Sequence, residues 1–394
     1  MIKNMIKTPC FVLNVDKALC NIIGFKTALI NRFKNNILGY SVKTNSFPGW
    51  LDIVKDNGGY AEVVSYDEYN LVLKCGFDKS HIIYNGPMKD KASFIDALEN
   101  GAIVNIETKR ELDWLLELDR NKSYKIGIRV NLNISVISPE DCKEEESYSR
   151  FGFSYENGEL KSAIDHIAGL DHVVLKGLHL HRTSKTRSIN TYKNICLYAL
   201  NIIKEYDLNL SYIDIGGGFY GDMPGKPTYQ DYIDAIYNVL SLHYNCDELC
   251  LIVEPGNALV ASPFSYYTSV IDIKNVGDKR IIVTDGTRND VDPFFHKKDY
   301  FKEFINDLSE RDLEKEQVFV GCTCLENDKL FIEKGAPQMQ IGDIIKFCFV
   351  GAYTMCLSPL FIRFFPRVYI KKHENLILAR EEWTENEYLQ KIKK

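Results

Sequence analysis

The chain has 394 residues, 45% of them apolar and 26% charged, with a formal net charge of −6. That length exceeds one ordinary domain and predicts two, and the acidic balance leaves no basic footprint for nucleic acid. The longest apolar runs, such as "VVLKGLHLH" and "IIKFCFVGAY", carry polar residues and fall short of a membrane span.

From the N-terminus, "MIKNMIKTPCFVLNV" has no signal-peptide core. The 11 cysteines follow no repeating spacing and read as reduced thiols in a cytoplasmic protein. "CTC" at 322–324 is not a zinc spacing and no Cys/His cluster accompanies it, so no metal is expected. Between residues 24 and 261, β-rich runs alternate with helical patterns. The strand candidates are "NILGYSV", "YAEVVS", "HIIYNG", "AIVNIE", "KIGIRVN", "LKGLHLH", "LSYIDIGGG" and "LCLIVEPG". Segments such as "SYDEYNLVLKCGF", "KDKASFIDALENG", "TKRELDWLLELD" and "SINTYKNICLYALNIIKEYD" supply the helices. Such βα units predict an α/β domain over 24–261, as a (β/α)8 TIM-like barrel or a doubly wound open sheet. Beyond residue 262, runs such as "SYYTSVIDIKNVG", "KRIIVTDG", "QVFVGCTC", "DKLFIEKGA" and "DIIKFCFVGAY" are separated by turn signals. They predict a mostly antiparallel β domain over 262–394, joined by residues 1–23 through a strand in "TPCFVLNVD". The tail "EEWTENEYLQKIKK" reads as a charged helix.

Chemistry in a βα barrel gathers at the C-terminal ends of the strands. Lys43 ends "YSVK", Glu62 lies in "YAEVVS", Arg129 in "IRVN", His179 and His181 close "LKGLHLH", and Glu254 precedes "PGN". Each has a plain alternative: a surface lysine, a core histidine, a turn glutamate. "DIGGGF", Asp214 to Phe219, exposes backbone N–H groups after an apolar strand. It reads equally as a phosphate cradle or a tight turn, and its spacing is not the dinucleotide fingerprint. A lysine, a phosphate cradle, a carboxylate and a flat imidazole are together the parts that pyridoxal 5′-phosphate (PLP) needs.

The stretches "YSVKTN", "GYAEVVSYDEY", "IRVN", "SRFGF", "GLHLHRTS", "DIGGGF", "EPG", "GCTCLENDKL" and "GAYT" occur in an order that resembles the fold type III PLP-dependent decarboxylases, the ornithine and diaminopimelate decarboxylase group. The resemblance implies an alanine racemase-like barrel with a second β domain, and a homodimer with shared active sites. It also implies roles. Lys43 would be the Schiff-base lysine, His181 would stack on the ring, and Glu254 would pair with the ring nitrogen. Gly216, Gly217 and Gly218, with Ser184 and Tyr353, would hold the phosphate. Glu62, Arg129, Gly256 and Asn257 would line the cofactor pocket, and Cys324 would return a proton in the partner's site.

Two departures bear on chemistry. Asn257 replaces the family's usual phosphate-binding arginine, which removes one charge-assisted contact, with Arg182 or Arg288 as candidates to compensate. Leu325 stands where the family grips the substrate's distal amine with an acid, and leucine cannot pair with an ammonium. A register shift would hand that grip to Glu326 or Asp328. "NDVDP", with Asp292, lacks the arginine that would receive a distal carboxylate of diaminopimelate. The expected substrate is therefore an ornithine-like amino acid conjugated to an acyl group, such as citryl-ornithine in siderophore biosynthesis. Arg182, Lys185, Arg187 and Arg288 are candidate cations for the acid, or simply surface charges. Free ornithine or lysine, as in polyamine synthesis, is the alternative; diaminopimelate, a racemase or an inactive regulator stand behind it.

Overall fold

Eight runs rich in Val, Ile and Tyr form parallel strands within Cys20–Leu259, one of two units into which the chain divides; the other is Met1–Leu19 with Val260–Lys394. The computed structural model describes residues 3, 5–142, 149–182 and 186–393. Around the ring the strands are Asn36–Ser41, Tyr60–Ser65, Ile82–Met88, Ile103–Ile106, Tyr124–Asn131, Val173–His179, Tyr212–Asp214 and Cys250–Val253. Leu251 of the last strand sits opposite Asn36 of the first, which closes the ring and rules out the open sheet. A two-residue strand, Phe153–Ser154, pairs beside Tyr124–Asn131.

The connecting helices start where the sequence supplies caps. Ser65 accepts from the Glu68 N–H, Asp90 from the Ser93 N–H and Ser188 from the Thr191 N–H. Thr108 with Glu111, and Thr228 with Asp231, form reciprocal capping boxes. Each helix buries its apolar side, for example Tyr232, Ile233, Ile236 and Leu240 of Tyr229–Leu240.

Two glycines shape the barrel's inner wall. A Cβ on Gly177 would lie 2.0 Å from the Tyr212 ring, and one on Gly127 would lie 2.0 Å from Asn105 Oδ1 and 2.2 Å from the Tyr212 hydroxyl. Side chains at these positions would expel the tyrosine, whose hydroxyl donates to Asn105 Oδ1 at 2.9 Å. A buried lysine, Lys89, is satisfied by Gly86 O, Asn105 O and the Glu111 carboxylate at 2.8, 3.2 and 3.0 Å. That full pairing is what allows a charge with no solvent exposure.

The second unit is a nine-stranded sheet. Phe264–Val276 is its long central strand and pairs antiparallel with Cys10–Asn14, Lys279–Thr284 and Ile344–Phe347. Two pairings are parallel: Cys10–Asn14 with Arg367–Lys372, and Lys279–Thr284 with Leu313–Val320. Phe319 and Phe331 stack with centroids 4.2 Å apart, and Phe331 meets Phe347 edge-on. The C-terminal tail differs from expectation. Helix is confined to Glu385–Tyr388, capped by Thr384 and Glu387. None of its residues is buried, and a single turn without packing does not propagate.

Gly177→Ala should cost about 1–3 kcal/mol by forcing the Tyr212 ring from its place. Urea denaturation measures it, and an unchanged midpoint would show that the barrel wall yields without strain.

Candidate active site

Lys43 sits in a single 3-10 turn, Val42–Thr44, directly after the first barrel strand. Its ammonium donates to Ser41 Oγ at 2.7 Å and to Glu62 Oε2 at 2.9 Å, and Ser41 Oγ itself donates to Glu62 Oε2 at 2.5 Å. Glu62 is buried while the lysine side chain is 37% exposed, so the amine stands at the mouth of the barrel, anchored from below. The turn is admitted by a missing side chain. A Cβ on Gly256 would lie 2.0 Å from Thr44 Oγ1. Gly256 therefore acts by making room for the lysine turn.

Glu254 follows the last barrel strand. Asn85 Nδ2 donates to Glu254 Oε1 at 2.6 Å and to Glu62 Oε1 at 3.2 Å, so one buried amide joins the two acids. Asn85 is oriented in turn by Asn105, whose Nδ2 donates to Asn85 Oδ1 at 2.8 Å. Arg129 donates to Glu107 Oε2 at 2.9 Å, and its guanidinium lies over the Phe151 ring. Ser41, Asn85, Asn105 and Glu107 were not singled out from sequence, because a lone amide or hydroxyl in an apolar run carries no periodic signal.

His181 is fixed by the Gly217 N–H, which donates to Nδ1 at 3.1 Å, so that nitrogen carries no proton. Burial, then the Arg129 and Lys43 cations, push its pKa down to about 3. The ring therefore stays neutral and flat at any physiological pH. His179 is buried, and neither ring nitrogen has a hydrogen-bond partner. Burial and the Arg129 charge hold it well below the usual histidine range.

The glycine turn differs from a three-amide cradle. Gly216 N–H donates to Asp214 Oδ1 at 2.9 Å and Gly217 N–H to His181, so both amides are engaged within the protein. Gly218 N–H makes no hydrogen bond among the described residues. The turn still has to be side-chain-free: Gly216 and Gly218 adopt φ of 68° and 90°, and a Cβ on Gly217 would lie 2.4 Å from the Glu254 carbonyl. Asn257 opens the short helix Asn257–Val260 and brings no cation. Arg182 is described and partly buried; Ser184 and Lys185 lie outside the described residues.

These features fit PLP. The anchored amine, the buried carboxylate Glu254, a neutral histidine face, orphaned ring nitrogens on His179 and a backbone turn without side chains suit a flat, anionic, aldehyde-bearing heterocycle.

The remaining predicted residues belong to the β-rich unit. Cys324 and Tyr353 are exposed. Leu325 is 38% exposed and, with Cys324, borders a cavity of about 450 Å³ whose wall includes Val318, Val320 and Ile332 and whose rim carries Lys279 and Lys329. Asp328 is placed differently from a substrate grip. Its carboxylate accepts from Thr323 N and Oγ1, Thr287 Oγ1 and Arg288 N at 3.1, 2.6, 3.1 and 2.8 Å, and it is buried. With these donors satisfied, it ties the Cys324 loop to the 287–288 turn. Arg288 is likewise committed, to Asp292 at 2.8 Å and the Lys297 carbonyl at 2.8 Å. Asp328→Ala should cost roughly 1–3 kcal/mol by orphaning buried donors. It should also speed alkylation of Cys324, read by peptide mass spectrometry; an unaltered rate would mean the loop holds without it.

Comparison with known proteins agrees with this chemistry. Residues 22–261 match the family model of the pyridoxal-dependent decarboxylases' pyridoxal-binding domain. A probable chloroplastic diaminopimelate decarboxylase of Oryza sativa is 25% identical over 90% of this chain and 73% of its own length. The diaminopimelate decarboxylase of Aquifex aeolicus is 26% identical over 83% and 78%. In fold, the chain is similar to the diaminopimelate decarboxylase of M. jannaschii solved in complex with L-lysine (TM-score 0.85, 22% identity, 99% of this chain and 93% of that one). It is also similar to the arginine decarboxylase of Paramecium bursaria Chlorella virus (TM-score 0.77, 21% identity, 94% and 99%). A lysine anchored at a barrel strand end, beside a buried acid and a glycine turn, thus lies inside a matched pyridoxal-binding domain, and the chain belongs to the fold type III PLP-dependent amino-acid decarboxylases.

Proposed function

We propose that this decarboxylase acts on an α-amino acid whose distal nitrogen is a neutral amide, with an ornithine-like chain joined to a citryl-type acid, as in siderophore assembly, as the representative substrate. One observation carries the reading. Leu325 is exposed beside Cys324 while the Asp328 carboxylate is occupied by the protein's own donors, so neither position offers an acid to a free ammonium, and Glu326 on the same cavity is the loop acid a free diamino acid would have to use. Lys329 and Lys279, the latter also 3.6 Å from Glu316, line the cavity and are the cations there for an acidic acyl group. Diaminopimelate is the second reading, favoured by the names of the relatives; the Arg288–Asp292 pair at 2.8 Å weighs against it, since it neutralises the arginine nearest that segment.

In this reading Lys43 is the attachment point for PLP, which when bound supplies an electron sink for the bond to CO2. Glu62 and Ser41 orient the Lys43 amine and keep a proton on hand for it. Glu254 would pair with the ring nitrogen, and Asn85 holds its carboxylate in place. The neutral His181 ring would cover one face of the cofactor, and the Gly218 N–H with the barrel's glycine turn would receive the phosphate. Cys324 protonates the decarboxylated carbon in the partner's site of a homodimer.

Mass-spectrometric detection of CO2 loss from citryl-ornithine, N-acetyl-ornithine, L-ornithine, L-lysine and meso-diaminopimelate tests the substrate class. Turnover of the conjugate alone is expected; efficient turnover of a free diamino acid would overturn the amide reading. A mixing experiment tests the shared site. Lys43→Ala and Cys324→Ala should each be inactive, and equal mixtures should recover about a quarter of wild-type activity through hybrid dimers. No recovery after subunit exchange would place Cys324 outside the partner's site.

A further inference from the structure

Asp214 and Glu254 end adjacent barrel strands and are 0% and 3% exposed. A carboxylate oxygen of each lies within 4.8 Å of the other and of a His179 ring nitrogen. The groups facing the pair can be named strand by strand. Asn85 reaches Glu254 Oε1 at 2.6 Å, and Asn105 reaches Asp214 Oδ2 at 3.4 Å. Gly216 N–H reaches Asp214 Oδ1 at 2.9 Å, and His179 Nε2 lies 3.5 Å from Glu254 Oε2. Glu62, His181, Tyr212 and Cys250 are the other titratable groups around the pair. The nearby cations are directed elsewhere, Lys43 to Glu62 and Arg129 to Glu107. Among the described residues no lysine or arginine pairs with either acid.

Two buried carboxylates this close, with no such cation paired to either, repel one another unless a proton sits on one, and ionised they have only acceptors to offer each other. The contacts say which. Glu254 receives the short Asn85 bond of 2.6 Å that an anion draws, whereas the corresponding amide contact to Asp214 is 3.4 Å. We propose that Asp214 is a neutral carboxylic acid whose O–H donates to Glu254, and that it is a positioning residue keeping Glu254 an oriented anion. This rests on the reading of Glu254 as the partner of the cofactor's ring nitrogen. Burial and the neighbouring Glu254 charge, which both raise the Asp214 carboxyl well above the usual range, support it.

The test compares wild type with Asp214→Asn, whose amide is a permanent neutral donor of the same shape, at the cost of the long Asn105 contact. A carboxyl whose folded pKa is raised stabilises the protein fully below its unfolded pKa, and that contribution is lost as pH rises towards the folded value. Urea unfolding of the full-length, cofactor-free protein from pH 5 upward should therefore show the wild-type unfolding constant growing with pH relative to Asp214→Asn, by up to about tenfold per pH unit until the folded carboxyl itself ionises. Glu254→Gln should flatten that slope. A ratio independent of pH, a slope unaffected by Glu254→Gln, or failure of Asp214→Asn to fold would each overturn the proposal. Borohydride reduction of the PLP-loaded wild type with peptide mapping separates this from the reading beneath it. Cofactor fixed at Lys43 with a flat ratio sinks the shared proton alone, and cofactor absent from Lys43 sinks the site reading.

Discussion

Burying three acids with one lysine among their donors is the constraint on which the barrel's chemistry depends. Glu62, Asp214 and Glu254 are all nearly inaccessible, and an isolated carboxylate in such surroundings would be expelled or protonated. The chain meets that cost with donors from neighbouring strands: Ser41 and Lys43 for Glu62, Asn85 for Glu62 and Glu254, and the Gly216 amide for Asp214. Closure of the ring is what makes this possible. In an open sheet, the strands carrying Asn85 and Glu254 would sit far apart; in the barrel their ends converge, and one asparagine can span Glu62 and Glu254. A buried network of this kind stabilises only when every member is satisfied.

Convergence also demands thin backbone. Lys43 reaches its place because Gly256 leaves room for Thr44, and the glycine turn passes the Glu254 carbonyl only because Gly217 has no Cβ. The same turn orients His181 by giving it an N–H. The glycines of "DIGGGF" and "EPG" therefore position side chains. Two of the three amides of the first are directed inward, onto Asp214 and His181.

What could be read from sequence follows from what leaves a linear pattern. Alternating βα runs, glycine clusters after apolar strands and a lysine closing "YSVK" are local signals, and the strands appear where those signals lie. Asn85 and Asn105 leave none, since each is one amide in an apolar run whose partners lie on other strands. Asp328 is the opposite failure. Its distance from Cys324 along the chain suggested a substrate grip, but the turn folds its carboxylate inward onto Thr287, Thr323 and the Arg288 N–H. The tail's charges and polar residues resemble a helix, yet with no buried residue and one ring contact, Tyr388 with Phe364, only the capped turn Glu385–Tyr388 forms.

The two kinds of site differ in how they tolerate change. In the barrel, Glu62, Asn85 and Glu254 share donors, so replacing one leaves others buried and unpaired. In the Cys324 loop the lock lies in Asp328, Thr323 and backbone groups, while Leu325 contributes its own N–H, to Thr323 Oγ1 at 3.4 Å, and presents its side chain outward. A residue that holds the loop only through its backbone can be exchanged without loosening it. Position 325 can therefore change without loosening the loop, and this explains how a leucine stands in a loop whose Asp328 lock and Cys324 are intact.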